Sequence, residues 1–218
     1  MLTKLGRATR RAEAAGGGQP LLVVAHSGGG IVTRLAMSET SFGGRRSAVA
    51  PSVGALVTLG TPHGLARLPV RSAHSGIVAA RFLDRHVPGD RFAPTTAYLT
   101  VGSDFVRPDR LVRGGQAGPL TWWDRLLRRG FEAIVGPLPA EGGDGIVPVT
   151  AAHLSGAEQL TLHDVRHGHI GGPWYGDDEI VDRWWPRAVE LWRGALAARR
   201  TAAARQREPC TTVESHFT

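Results

Sequence analysis

Apolar positions along the chain follow two rhythms. Continuous short runs occur at residues 21–25 (LLVVA), 53–59 (VGALVTL), 97–101 (AYLTV) and 159–163 (QLTLH). Runs of this length bounded by Gly, Pro, Ser or Asp predict strands, and unbroken apolar character predicts burial on both faces. Between them, apolar residues recur at helical spacing. Leu2, Leu5, Ala8, Ala12 and Ala15 fall near one face of a helix over 2–15, which Gly16, Gly17 and Gly18 end. Further helices are predicted over 30–37, 77–86 and 178–199, the last with Pro186 as an internal kink. Residues 38–52 are rich in Ser, Gly and Arg and read as a loop, and Gly60 to Gly64 as a turn. Strands alternating with helices predict an α/β architecture, a mostly parallel sheet flanked by helices.

No internal repeat is present, and 218 residues suit one domain. That domain is expected over 1–200, followed by a flexible tail over 201–218 without apolar pattern. Residues 106–143 are less regular and hold one amphipathic helix, LTWWDRLLRRGFEAIVG, so they read either as a cap insertion or as a helix packed on the core. Tryptophans and leucines of that helix suit an apolar ligand. Arg125, Arg128 and Arg129 suit water or lipid headgroups, an expectation of membrane-surface contact.

Composition narrows the class. Apolar residues make up 42% and charged residues 21%, as in a soluble globular protein. No stretch reaches the roughly 20 apolar residues of a membrane span. The first residues carry basic charge without an apolar core, so no secretory signal is read and the expected location is cytoplasmic. Cys210 is the single cysteine, which excludes an intrachain disulfide. The net charge is +7, and Lys4 is the only lysine. The arginines are scattered as doublets with no nucleic-acid motif among them, so a solvated basic surface is expected and no nucleic-acid partner. No His, Cys or Asp spacing suggests a metal site, and no cofactor is expected.

Chemistry concentrates where the first strand meets the second helix, in Ala25-His26-Ser27-Gly28-Gly29. A serine hydroxyl needs a base, an orienting acid and oxyanion donors to act as a nucleophile. A sharp strand-to-helix turn exposes it, provided that the residues two before and two after are small, and here they are Ala25 and Gly29. The string is a near match to G-x-S-x-G. Alone it also reads as a glycine-rich turn suited to a phosphate.

Together, VVAHSGGG, TLGTPHG (58–64), GDGIVPV (143–149) and LHDVRHGHIGG (162–172) resemble, in order, the nucleophile elbow, the following strand-end turn, the acid loop and the histidine loop of the α/β-hydrolase superfamily, most closely its lipases and esterases. The resemblance implies Ser27 as nucleophile, Asp144 as acid, His167 as base and the Gly28 N–H as an oxyanion donor. Asp104, just after the third strand, is the alternate acid, and His169 the alternate base. His163 reads as a core or edge residue. His26 reads as packing beneath the elbow, and His63 as shaping the turn after Leu59.

The resemblance also implies strands ahead of the elbow and a His-Gly loop giving a second oxyanion donor. Neither precedes Ser27, so the fold is expected to be N-terminally truncated, with a second donor of unassigned source. Loss of such a donor costs about 10²–10³ in rate. The implied activity is hydrolysis of a small-molecule or lipid ester through an acyl-enzyme. Thioesterase, amidase or lipid-deacylase chemistry on the same triad remains open, as does a truncated, catalytically impaired homologue.

Overall fold

The computed structural model describes residues 1–67, 75–107, 140–169 and 171–205, with residues 111–113, 116–118, 122, 125, 126 and 129 between them. In chain order the elements are α1 (Leu2–Ala15), β1 (Leu21–His26), α2 (Gly28–Met37), β2 (Val53–Leu59), α3 (Ser75–His86), β3 (Ala97–Ser103), β4 (Leu111–Arg113), β5 (Gln116–Gly118), α4 (Val149–Ala152), β6 (Glu158–Leu162) and α5 (Asp178–Arg205). The four long strands form one sheet in the order β1-β2-β3-β6, every pair parallel. Strands β4 and β5 make a separate antiparallel ribbon. They fall within the expected cap over 106–143. Most of that segment, including much of the helix expected there, lies outside the described residues, as does the tail from 206 onward. Helix α5 continues through Pro186 to Arg205, beyond the boundary expected at residue 200.

Alternating side chains of the sheet feed two cores. Ala25, Leu56 and Tyr98 meet Leu2 of α1, Ile31, Leu35 and Met37 of α2, and Ala79 and Leu83 of α3. On the other face Val57, Leu59, Leu99, Val101 and Leu162 meet Ile180, Trp184 and Ala188 of α5. Gly54 has no side chain because α5 leaves no room for one: a Cβ there would lie 2.9 Å from the Trp192 indole. That indole Nε1 donates to the Pro20 carbonyl at 2.8 Å and ties α5 to the start of β1.

Strand β1 departs from the reading as a strand buried on both faces. Among the described residues it has one strand neighbour, and Val24 is 41% exposed. An unbroken apolar run reports a preference for burial. It does not report how many neighbours the strand finds, so edge and centre look alike in sequence.

Among the described residues Arg34 is the largest fully buried side chain. Its Nη2 donates to the Val87 carbonyl past the end of α3, and its Nη1 donates to His63 Nδ1 at 3.2 Å. With Nδ1 accepting, His63 Nε2 carries the proton and donates to Thr58 Oγ1 of β2 at 2.9 Å. Burial, and then the Arg34 charge, push the His63 pKa well below 6.5. Burial lowers His26 and His153 in the same direction.

These shifts predict acid sensitivity. Below pH 6.5 the unfolded chain protonates a histidine that the folded chain keeps neutral, so stability falls as pH falls. From His63 alone the loss between pH 7.5 and pH 5.5 is on the order of 1 kcal/mol. Urea unfolding of wild type and His63→Asn at both pH values checks this: the variant is less stable at pH 7.5 and has a shallower pH slope. Equal slopes would remove His63 as the cause.

Candidate active site

All the groups of the site stand at the carboxyl ends of the strands. Ser27 joins β1 to α2 with φ 53° and ψ −132°. This is the left-handed side of the map, costly for a residue with a Cβ and maintained only where the surroundings fix it. Three bonds fix it here. The Ser27 N–H donates to Leu59 O at 2.9 Å, and the Ser27 carbonyl accepts from Gly30 N at 3.1 Å and from Thr61 Oγ1 at 2.8 Å. Thr61 lies so close to α2 that a Cβ on Gly30 would come within 2.6 Å of its Cγ2. A Cβ on Gly29 would come 3.9 Å from Ala25 Cβ, which shows how near the two flanking positions stand.

Ser27 Oγ lies 2.8 Å from His167 Nε2, and His167 Nδ1 lies 2.8 Å from Asp144 Oδ2. A carboxylate only accepts, so Nδ1 carries the imidazole proton and Nε2 is left to accept from the serine hydroxyl. Asp144 is 2% exposed. Its Oδ1 accepts from the backbone N–H groups of Ile146 (3.0 Å) and Val147 (2.7 Å), and its Oδ2 also accepts from Tyr175 OH at 3.0 Å. Burial and the neighbouring Asp144 charge raise the Tyr175 pKa well above 10, so the phenol stays a donor. The backbone adds another tie, His167 N–H to Asp144 O at 2.9 Å.

His26 lies against the site as well. Its Nε2 is 2.7 Å from the His167 carbonyl, an acceptor, so Nε2 is the protonated nitrogen. Its ring centroid is 4.8 Å from that of His167. Burial first, then the facing His167, lower its pKa and keep it neutral.

The other sequence candidates are elsewhere. Asp104 does not reach His167. Its Oδ1 accepts from His163 Nδ1 at 2.8 Å and its Oδ2 pairs with Arg107. Burial opposes its ionisation, but the bonds from Arg107 and His163 prevail and hold its pKa below the ordinary value. His163 lies past the end of β6 with its side chain 63% exposed, so it is not a core residue. His169 is 81% exposed and faces Asp177 at 3.7 Å. Gly28 opens α2, where N–H groups lack intrahelical acceptors. Among the described residues no group of His, Cys, Asp or Glu could hold a metal ion, and no helix is long and apolar enough to cross a membrane.

Two contributors escaped the sequence reading. Tyr175 sits in PWYGDD, which carries no recognisable motif; Trp184 of α5 places it by donating from Nε1 to its carbonyl at 3.1 Å. Gly60, read only as part of a turn, has φ 54°, and a Cβ there would lie 2.6 Å from Asp144 Oδ2 and 3.1 Å from His167 Nδ1. A glycine directly after the last strand residue, Leu59, was the available signal.

A parallel sheet between helix layers, with a serine on a strained turn after β1, defines the α/β-hydrolase fold, and the chain has that fold. The structure is similar to the crystal structure of Bacillus licheniformis lipase BlEst2 in its mature form, with a TM-score of 0.51 and 19% identity, over 86% of this chain and 71% of that one. No protein-family model and no curated protein sequence matches the chain.

Substitution of the two unforeseen contributors tests how the site is held. Gly60→Ala adds both left-handed strain and a clash, for an expected loss of about 2–4 kcal/mol. Tyr175→Phe removes one donor from a buried carboxylate, for about 1.5–3 kcal/mol. Urea unfolding at pH 7.5 measures both, and a neutral Tyr175→Phe would show that the phenol carries no part of the Asp144 charge.

Proposed function

We propose that the protein is a serine hydrolase that cleaves carboxylic esters through Ser27, His167 and Asp144. The observation that carries this reading is the unbroken chain from Ser27 Oγ to His167 Nε2 and from His167 Nδ1 to Asp144 Oδ2, each link 2.8 Å. Similarity to the fold of a bacterial lipase supports carboxylic esters, of small molecules or lipids, as the substrate class.

In this reading Ser27 Oγ bonds to the ester carbonyl carbon as its proton passes to His167 Nε2. The carbonyl electron pair moves onto oxygen, where the Gly28 N–H at the start of α2 donates to it. Asp144 keeps Nδ1 protonated and stabilises the imidazolium, without taking the proton itself. Collapse breaks the carbon–alcohol bond, and the leaving alkoxide takes the proton from Nε2. Water then attacks the acyl-enzyme, its proton goes to Nε2, and Ser27 departs with that proton restored. Each step uses protein groups and water.

Labelling with a fluorophosphonate probe, mapped by mass spectrometry, reads the nucleophile directly. The adduct is expected on Ser27 and is abolished in Ser27→Ala. Asp144→Asn is expected to lower kcat for p-nitrophenyl butyrate by about 10⁴-fold, because the wrong tautomer becomes preferred. Faster turnover of a thioester or an anilide would move the substrate class while leaving the triad in place. A folded protein that takes no adduct would overturn the reading.

A further inference from the structure

The ring of His26 packs at the serine turn, as the sequence reads, but packing does not account for its Nε2. The ring centroid lies 5.8 Å from that of Trp174, 6.1 Å from Tyr175 and 4.8 Å from His167. An apolar side chain of similar size would keep those contacts. Nε2 makes a contact of another kind, donating to the His167 carbonyl at 2.7 Å. Among the described residues that carbonyl has no other partner.

The His167 imidazole has to stand between two fixed points, Ser27 Oγ and Asp144 Oδ2, each 2.8 Å away. Its backbone is tied on the amino side, where the His167 N–H donates to the Asp144 carbonyl at 2.9 Å. On the carboxyl side the next residue is Gly168, which restricts the chain least of all residues. The bond from His26 is the tie on that side. It comes from the residue next to Ser27, so the turn that presents the hydroxyl also presents the donor. Burial, and then the facing His167, hold the His26 pKa below its ordinary value. The donor is therefore neutral and sets no positive charge beside the imidazolium that the proposed reaction forms.

We propose that His26 is a positioning residue: its bond to the His167 carbonyl fixes the backbone of the base to the strand end that carries the nucleophile, and so holds the imidazole Nε2 at Ser27 Oγ. The proposal rests on the serine-hydrolase reading and deepens it. In this role His26 acts through His167 and takes no proton from the substrate or the serine. Side-chain reach makes the role separable from packing. A glutamine amide nitrogen stands as many bonds from Cα as the imidazole Nε2 and is also a donor, whereas an asparagine amide stops one bond short. Leucine keeps apolar bulk and has no donor.

The series His26→Leu, His26→Asn and His26→Gln tests it. kcat and KM for p-nitrophenyl butyrate are measured at pH 7.5, and urea unfolding shows that each variant is folded. His26→Leu and His26→Asn are expected to lower kcat by about 10- to 100-fold, the cost of a misplaced catalytic group. KM is expected to stay at the wild-type value, because the interaction lost is one that serves the transition state. His26→Gln is expected to return kcat close to wild type. A role in packing alone predicts the reverse order, since leucine fills apolar space better than glutamine. The Asn and Gln pair keeps the test decisive if the leucine variant does not fold. Fluorophosphonate labelling of wild type runs alongside. Labelling at Ser27 together with an unchanged kcat in His26→Leu and His26→Asn, or with His26→Gln as slow as His26→Asn, overturns the positioning role and leaves the hydrolase reading standing. A folded wild type that takes no adduct removes that reading, and the role of His26 with it.

Discussion

A carboxylate sealed from water is the constraint on which the rest of the site depends. Burying an unpaired charge costs several kcal/mol, so Asp144 is tolerated only because donors surround it. They come from three places: its own loop through Ile146 and Val147, the histidine loop through His167, and the segment before α5 through Tyr175. Gly60 supplies the fourth side by having no side chain, so the end of β2 closes against the same carboxylate. The loops after β2, before α4, after β6 and before α5 therefore satisfy one charge. Losing a donor from any of the three places leaves the same buried charge with fewer partners.

That arrangement explains why the serine turn survives its strain. Ser27 is tied by its N–H to the end of β2 and by its carbonyl to Thr61, two residues after β2. His26, immediately before it, holds the carbonyl of His167. Ser27 and the His167 imidazole are thus joined twice, once through Oγ and once through the backbone behind it. The second link matters because β1 has only one strand neighbour among the described residues. Its carboxyl end gains from the His167 loop some of the restraint that a second flanking strand would give.

Much of this was legible before any geometry. The strand runs were visible because a parallel sheet between helix layers demands continuous apolar stretches, and Val53–Leu59 was bounded to the residue. The loops of Ser27, Asp144 and His167 were legible by their resemblance to the motifs of a known family, with small residues around Ser27 as the local signal. Less legible were features that depend on where two distant segments meet. Tyr175 carries no local signature, since a phenol in a loop reads the same whether it meets water or a carboxylate. His163 was misplaced because QLTLH looks like five strand positions, yet the last falls beyond β6 and turns outward. The edge position of β1 was hidden because composition records apolarity and not pairing.

Sheet geometry also separates the Asp104–His163 pair from the Asp144–His167 pair. Neighbouring strands are about 4.8 Å apart, so the end of β3 is about 10 Å from that of β1 and the end of β6 about 14 Å. Asp104 and His163 follow β3 and β6 immediately. They meet each other because those strands are adjacent, and they are too far across the sheet to meet Ser27. His167 reaches the serine because the chain first turns back over the sheet edge. Asp164 takes φ 62°, Val165 is buried in the α5-side core, and Arg166 bridges to Trp174. Asp144 arrives by a comparable detour, with Gly143 bridging both Val106 and Pro148. A histidine at a strand end can pair with the acid of the next strand. One that is to serve a serine three strands away needs a loop long enough to cross, and the residues between Leu162 and His167 provide it.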